Sequence, residues 1–237
     1  MLDAIKIVLV EPSHPGNIGA AARAMKNMGL SQLVLVNPEK FPHMEATVRA
    51  SGADNLLKNA EVVTCLNDAL ADCQLAFGTS ARTRALPWPL YTPRESAELI
   101  AGASDQKIAI VFGRECSGLT NEELGLCQYH IHIPVEEDFS SLNLASAVLL
   151  VAYELRISCL KPRSKVLERD SELASLGQLN GLSEHCREVM IKLGMLNPNQ
   201  PKKLIMRIQR LLNRSELEVN ELNILRGFLS AVDKHLK

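Results

Sequence analysis

Three short segments of this 237-residue chain hold polar side chains at spacings that could do chemistry. The first, Asn17-Ile-Gly19-Ala-Ala-Ala-Arg23, sets an amide and a guanidinium among residues with little or no side chain. On a helix Arg23 lies one turn beyond Gly19 and Ala20, so it stands on a face stripped of bulk that another group can approach closely. The second, Gly113-Arg114-Glu115-Cys-Ser-Gly118, places a pair of charges between glycines. The third, Ser140-Ser141-Leu142-Asn143, offers two hydroxyls and an amide ahead of an apolar run. Two other readings of the first segment stay open at this point. It equally suits a Gly/Ala helix packed tightly on a sheet, with Arg23 in solvent. It also looks like a dinucleotide-binding turn of an NAD(P)-dependent enzyme, through Gly16-x-x-Gly19-x-x-Ala22. That likeness is weakened because His14 replaces the first glycine of G-x-G-x-x-G, and Asn37-Pro38 stands where a ribose-binding acid belongs.

The apolar pattern supplies the scaffold these segments need. Short β-branched or apolar runs at 5–10, 33–36, 60–64, 75–77, 108–112 and 130–133 alternate with helical stretches. Runs that are apolar at nearly every position predict strands covered on both faces, hence an α/β domain with a parallel sheet of about six strands and helices on both sides. In such a sheet the ligand site lies at the carboxyl ends of the strands. The first helix is expected to start with Asn17 as its N-cap, stop at Gly29, and bury Ile18, Ala21, Ala22, Met25 and Met28. His130 and His132 alternate along a strand with no third ligand nearby, so they are read as structural and no metal site is expected.

Beyond residue 159 the composition changes. Residues 1–159 carry 12 Lys/Arg against 18 Asp/Glu, whereas residues 160–237 carry 14 against 9, which joins a basic tail to an acidic body. The tail has no strand signal, and it divides into a linker over 160–182 and a helical extension over 183–237. Leu204, Ile205, Ile208, Leu211 and Leu212 form one apolar stripe there. Lys203, Arg207, Arg210 and Arg214 share another face, either solvated or facing an anionic macromolecule. The scattered cysteines Cys65, Cys73, Cys116, Cys127, Cys159 and Cys186 form no CxxC pair, so reduced thiols are expected. With no signal-peptide pattern and no apolar run of about 18 residues, a cytoplasmic location without membrane contact is expected.

Read together and in order, Asn17 to Arg23, Gly113-Arg-Glu-x-x-Gly118, and Ile133-Pro with Ser141-Leu-Asn143 resemble the SPOUT superfamily of RNA ribose 2′-O-methyltransferases. Gly78-Thr-Ser-Ala-Arg82, Leu86-Pro-Trp-Pro89 and the helical extension narrow the resemblance to those acting on tRNA at nucleotide 32, cytidine or uridine, of the anticodon loop. The resemblance implies a Rossmann-like domain ending in a trefoil knot, a homodimer, and S-adenosyl-L-methionine as cofactor without a metal. It places the cofactor at Thr79, Ser80, Ala81, Gly113, Ile133, Ser140, Ser141 and Leu142, and catalysis at Arg23, Asn17, Ser141, Asn143 and Glu115. A guanidinium, with a pKa above about 12, is a poor base, so Arg23 is expected to clamp the neighbouring phosphate and orient the hydroxyl. Glu115 would order Arg23 or Asn17. Arg82, Arg84 and Arg114, with the basic face of Lys203, Arg207, Arg210 and Arg214, would hold the tRNA backbone. A knotted RNA-binding module without catalysis is disfavoured, because it would be expected to lose Arg23, Glu115 or Asn143.

Overall fold

In the computed structural model, which describes residues 2–80, 90–103, 106–139, 141–160, 170–198 and 203–236, strand alternation sets the layers. The elements in chain order are β1 (Ile5–Val10), α1 (Pro15–Met28), β2 (Gln32–Val36), α2 (Met44–Ala50), α3 (Asp54–Lys58), β3 (Glu61–Val63), α4 (Leu66–Leu70) and β4 (Leu75–Thr79). There follow β5 (Leu90–Tyr91), α5 (Pro93–Gly102), β6 (Ile108–Phe112), α6 (Asn121–Gly125), β7 (Tyr129–Ile131), α7 (Leu144–Leu160), α8 (Leu176–Lys192), α9 (Leu204–Arg214) and α10 (Val219–His235). The strands form one sheet in the order β3-β2-β1-β6-β4-β7-β5, and every pairing is parallel. The sheet thus has seven strands where the apolar runs indicated about six. The seventh, β5, is two residues long and too short to leave a periodic signal.

Along β1, Ile5, Ile7 and Leu9 enter one core while Val8 and Val10 enter another. β6 divides the same way, with Ile108, Ile110 and Phe112 on one side and Ala109 and Val111 on the other. The first core is covered by α1, α2, α5 and α7. The second is closed by α4 together with Leu176, Leu179 and Leu182 of α8, Leu212 of α9 and Leu222 of α10. The C-terminal helices therefore act as the sheet's second cover. Helix α8 begins at Leu176, inside the stretch read as linker, and Ser175 and Gln178 form the capping box that starts it. Its first turn is fastened to the body, since Leu176 N–H donates to the Cys73 carbonyl at 2.7 Å. Leu211, placed in the apolar stripe of α9, is 52% exposed, because the helix is turned to bury Leu212 and, in part, Ile208. Among the described residues no helix is long and apolar enough to cross a membrane.

Helix α1 differs from expectation at its start. Its N-cap is His14, whose Nδ1 accepts from Gly16 N–H at 3.1 Å, and Pro15 opens the first turn with its φ already helical. Asn17 therefore sits inside the first turn and its side chain is released for other work. The stop at Gly29 falls as read, with φ of 82°.

Candidate active site

At the carboxyl ends of β4, β6 and β7 the following loops converge on a cavity of about 180 Å³. Thr79 and Ser80 enter it from β4, residues 112–119 from the β6 loop, and Ile131, Ile133, Ser141, Leu142, Leu144 and Ala147 from the β7 loop and α7. The β6 loop is folded on itself: Arg114 N–H donates to the Gly118 carbonyl at 3.3 Å and Gly118 N–H returns to Arg114 at 2.9 Å, with Gly118 at φ 69°. Gly113 lies so close to this turn that a Cβ would stand 2.1 Å from the Gly118 carbonyl carbon. Thr79 Oγ1 donates to the Val111 carbonyl at 3.0 Å, and Ser80 N–H to the Ile131 carbonyl at 3.0 Å, fixing the β4 end. Six of the residues singled out for a cofactor, Thr79, Ser80, Gly113, Ile133, Ser141 and Leu142, thus line one space. Ala81 and Ser140 lie outside the described residues, as do Arg82, Arg84 and 86–89.

Beside this cavity a chain of side-chain hydrogen bonds joins the three segments. Asn143 Nδ2 donates to Asn17 Oδ1 at 2.9 Å, and Asn17 Nδ2 donates to Glu115 Oε1 at 3.0 Å. Glu115 also accepts from Ser13 N–H at 3.2 Å, Ser13 Oγ at 3.1 Å and His14 N–H at 3.3 Å. Asn143 Oδ1 in turn accepts from Ala145 and Ser146 N–H, so the same residue caps α7. Burial, the largest single influence on Glu115, pushes its carboxyl up. The donors from Asn17, Ser13, His14 and its own backbone outweigh that and hold it below the usual carboxylate range.

A carboxylate held low stabilises the fold above its unfolded value, near 4.5, and loses that contribution as pH falls toward the lower folded value. Glu115→Gln turns an amide N–H₂ toward donors that need acceptors. It is expected to cost on the order of 1 kcal/mol at neutral pH, small because the group stays partly solvated. In chemical denaturation the gap between the two proteins should be widest near pH 7 and close below pH 4.5; a gap independent of pH would show that the charge is immaterial.

Arg23 and Arg114 stand apart from this chain of hydrogen bonds. Arg23 is exposed, is not part of the cavity wall, and has no hydrogen-bond or ion-pair partner among the described residues. The bare face at Gly19 is filled by α2, where a Cβ would meet the Ala46 carbonyl oxygen at 2.0 Å, so that glycine serves helix packing and leaves no room for a ligand. Glu115 orders Asn17, while its other candidate partner, Arg23, remains apart. Arg114 was expected to face RNA, but its guanidinium is joined to Glu11 and Glu123. On α9, Lys203, Arg207 and Arg214 are exposed and Arg210 is half-buried. His130 is buried with Nε2 3.3 Å from the Leu124 carbonyl. Sequence reading missed Ser13, Glu11 and Glu123, although the Thr120-Asn-Glu-Glu123 spacing of a capping box was there to be seen.

Comparison with known proteins adds to this geometry. The SpoU rRNA Methylase family matches residues 4–153, and the family described as tRNA methyltransferase TrmJ, C-terminal domain, matches residues 177–237. The chain is 48% identical to the tRNA (cytidine/uridine/adenosine-2′-O-)-methyltransferase TrmJ of Pseudomonas aeruginosa, over 99% of this chain and 95% of that one. It is 43% identical to the tRNA (cytidine/uridine-2′-O-)-methyltransferase TrmJ of Escherichia coli K12, over 100% of this chain and 98% of that one. The crystal structure of TrmJ from Z. mobilis ZM4 superposes with a TM-score of 0.85 at 35% identity, covering 96% of this chain and 98% of that one.

Proposed function

The chain belongs to the SpoU rRNA Methylase family, and from that premise we propose that it methylates the ribose 2′-hydroxyl of a tRNA nucleotide, at position 32 of the anticodon loop, with S-adenosyl-L-methionine as methyl donor. The observation that carries this reading is the chain Asn143–Asn17–Glu115, which gathers the three segments at the edge of one cavity. It is supported by relatives of the same length whose names state tRNA 2′-O-methylation.

The cavity suits the cofactor. Backbone from three loops and the small residues Ser80, Gly113, Ser141 and Ala147 permit close approach, while Ile133 and Leu142 offer apolar walls to a flat ring. Thr79, Ser80, Gly113, Ile133, Ser141 and Leu142, with the adjoining Ala81 and Ser140, would hold it. When bound, S-adenosylmethionine supplies a methyl group on a positively charged sulfur. The chain's own residues then have to place the ribose. Asn17 and Asn143, locked by Glu115 and by the start of α7, present fixed amides to the sugar side, so no reorganisation is needed at the moment of transfer. Arg23 clamps the adjacent phosphate, and the proton leaves to phosphate or solvent.

The helical C-terminal part adds tRNA backbone contacts through Lys203, Arg207, Arg210 and Arg214. The enzyme works in the cytoplasm as a homodimer; the outer side of α7, where Leu149, Leu150, Tyr153, Ile157 and Leu160 are exposed, supports the pairing. The knot implied by the SPOUT resemblance belongs to this same reading. Incubation of the full chain with unmodified tRNA and methyl-labelled cofactor, followed by mapping, is expected to place a 2′-O-methyl group at nucleotide 32. Label on a base, or none in tRNA, overturns the assignment.

A further inference from the structure

Resting on the methyltransferase reading, we propose that Arg114 is a positioning residue that fixes the 113–119 loop of the cofactor pocket, and that it makes no contact with RNA. Its chain neighbours Gly113 and Glu115 both line the cavity, so whatever holds Arg114 sets where they stand. The guanidinium is held at both ends. Nε donates to Glu11 at 2.7 Å, while Nη1 and Nη2 donate to the two oxygens of Glu123 at 3.0 Å each, a bidentate pair. The side chain is 24% exposed and its Glu123 partner 16%.

Each anchor is itself fastened. Glu11 follows β1 directly in the left-handed region, φ 44°, with its N–H bonded to the Val36 carbonyl at 2.8 Å. Glu123 also accepts from Thr120 N–H at 2.7 Å, closing the capping box of α6. The last turn of α6 is braced from behind, where Asn213 of α9 donates to the Gly125 carbonyl at 3.0 Å. One side chain thereby ties the tip of β1, the loop after β6 and the start of α6. Two carboxylates around one cation leave the spot net negative, which repels a phosphate.

Steady-state kinetics on the full chain tests this, with wild type under the same conditions as the check on the underlying function. Arg114→Ala is expected to raise KM for S-adenosylmethionine about tenfold or more, with KM for tRNA within about twofold of wild type. Arg114→Lys, which reaches only one carboxylate, should recover part of the loss. Glu123→Gln should raise the cofactor KM in the same direction, and the double variant Arg114→Ala/Glu123→Gln should be no worse than Arg114→Ala alone. An unchanged cofactor KM in folded Arg114→Ala, or a rise confined to the tRNA KM, overturns the proposal. Absence of methyl transfer by wild type sinks the function itself instead.

Discussion

Gly113→Ala is expected to weaken S-adenosylhomocysteine binding by about 100-fold or more while the sheet stays folded. The new methyl would stand 2.1 Å from the Gly118 carbonyl carbon and 2.3 Å from Leu119 N, both backbone atoms that no rotamer change can move aside. The loop must open, which breaks the reciprocal hydrogen bonds between Arg114 and Gly118 and carries the cavity wall outward. The sheet has other support, because Phe112 and the rest of β6 are buried between β1 and β4 and do not depend on the turn beyond them. Gly102→Ala makes the control, since a Cβ there meets nothing within 4 Å. Calorimetric titration with S-adenosylhomocysteine, alongside circular dichroism, reads both properties. A folded Gly113→Ala protein that binds as wild type would mean that the loop is not part of the pocket.

What could be read from the residues divides along a physical line. The strands were legible because continuous apolar runs such as 108–112 have few other uses, and the parallel pairing followed from their burial on both faces. The C-terminal helices were visible as helices, yet nothing local shows that Leu176, Leu179 and Leu182 face Val8, Val34 and Val111 across the second core. Periodicity gives a face, and only tertiary packing gives its partner. The same limit governs the site. Asn17, Glu115 and Asn143 were legible as polar residues among small ones, but their bonding to each other spans about a hundred residues of chain. The partners of Arg114 were not legible because its two acids, Glu11 and Glu123, come from different parts of the chain. At Gly19 two readings stayed open because a missing side chain looks the same whether a ligand or a helix fills the gap, and packing against α2 decides it.

Arg23→Ala is expected to lower single-turnover methyl transfer by about 100- to 1000-fold, with almost no effect on folding. Stability should hold within about 0.5 kcal/mol, because the side chain is exposed and without a partner among the described residues. That contrast separates a working residue from a solvated one. Asn17, three residues past the His14 cap and fixed by Glu115, lies six residues before Arg23 on α1, about 9 Å along the helix axis. The guanidinium is thus carried on the same rigid element as the ordered amide, and under the proposed function it would meet a phosphate beside the ribose. Arg23→Lys keeps the charge and loses the planar fork, so it should recover only part of the rate. If Arg23→Ala kept full turnover, the residue would be a surface cation. If it raised only KM for tRNA, its contact would be equally strong before and during transfer, and the positioning of the hydroxyl would have to rest on Asn17 and Asn143 alone.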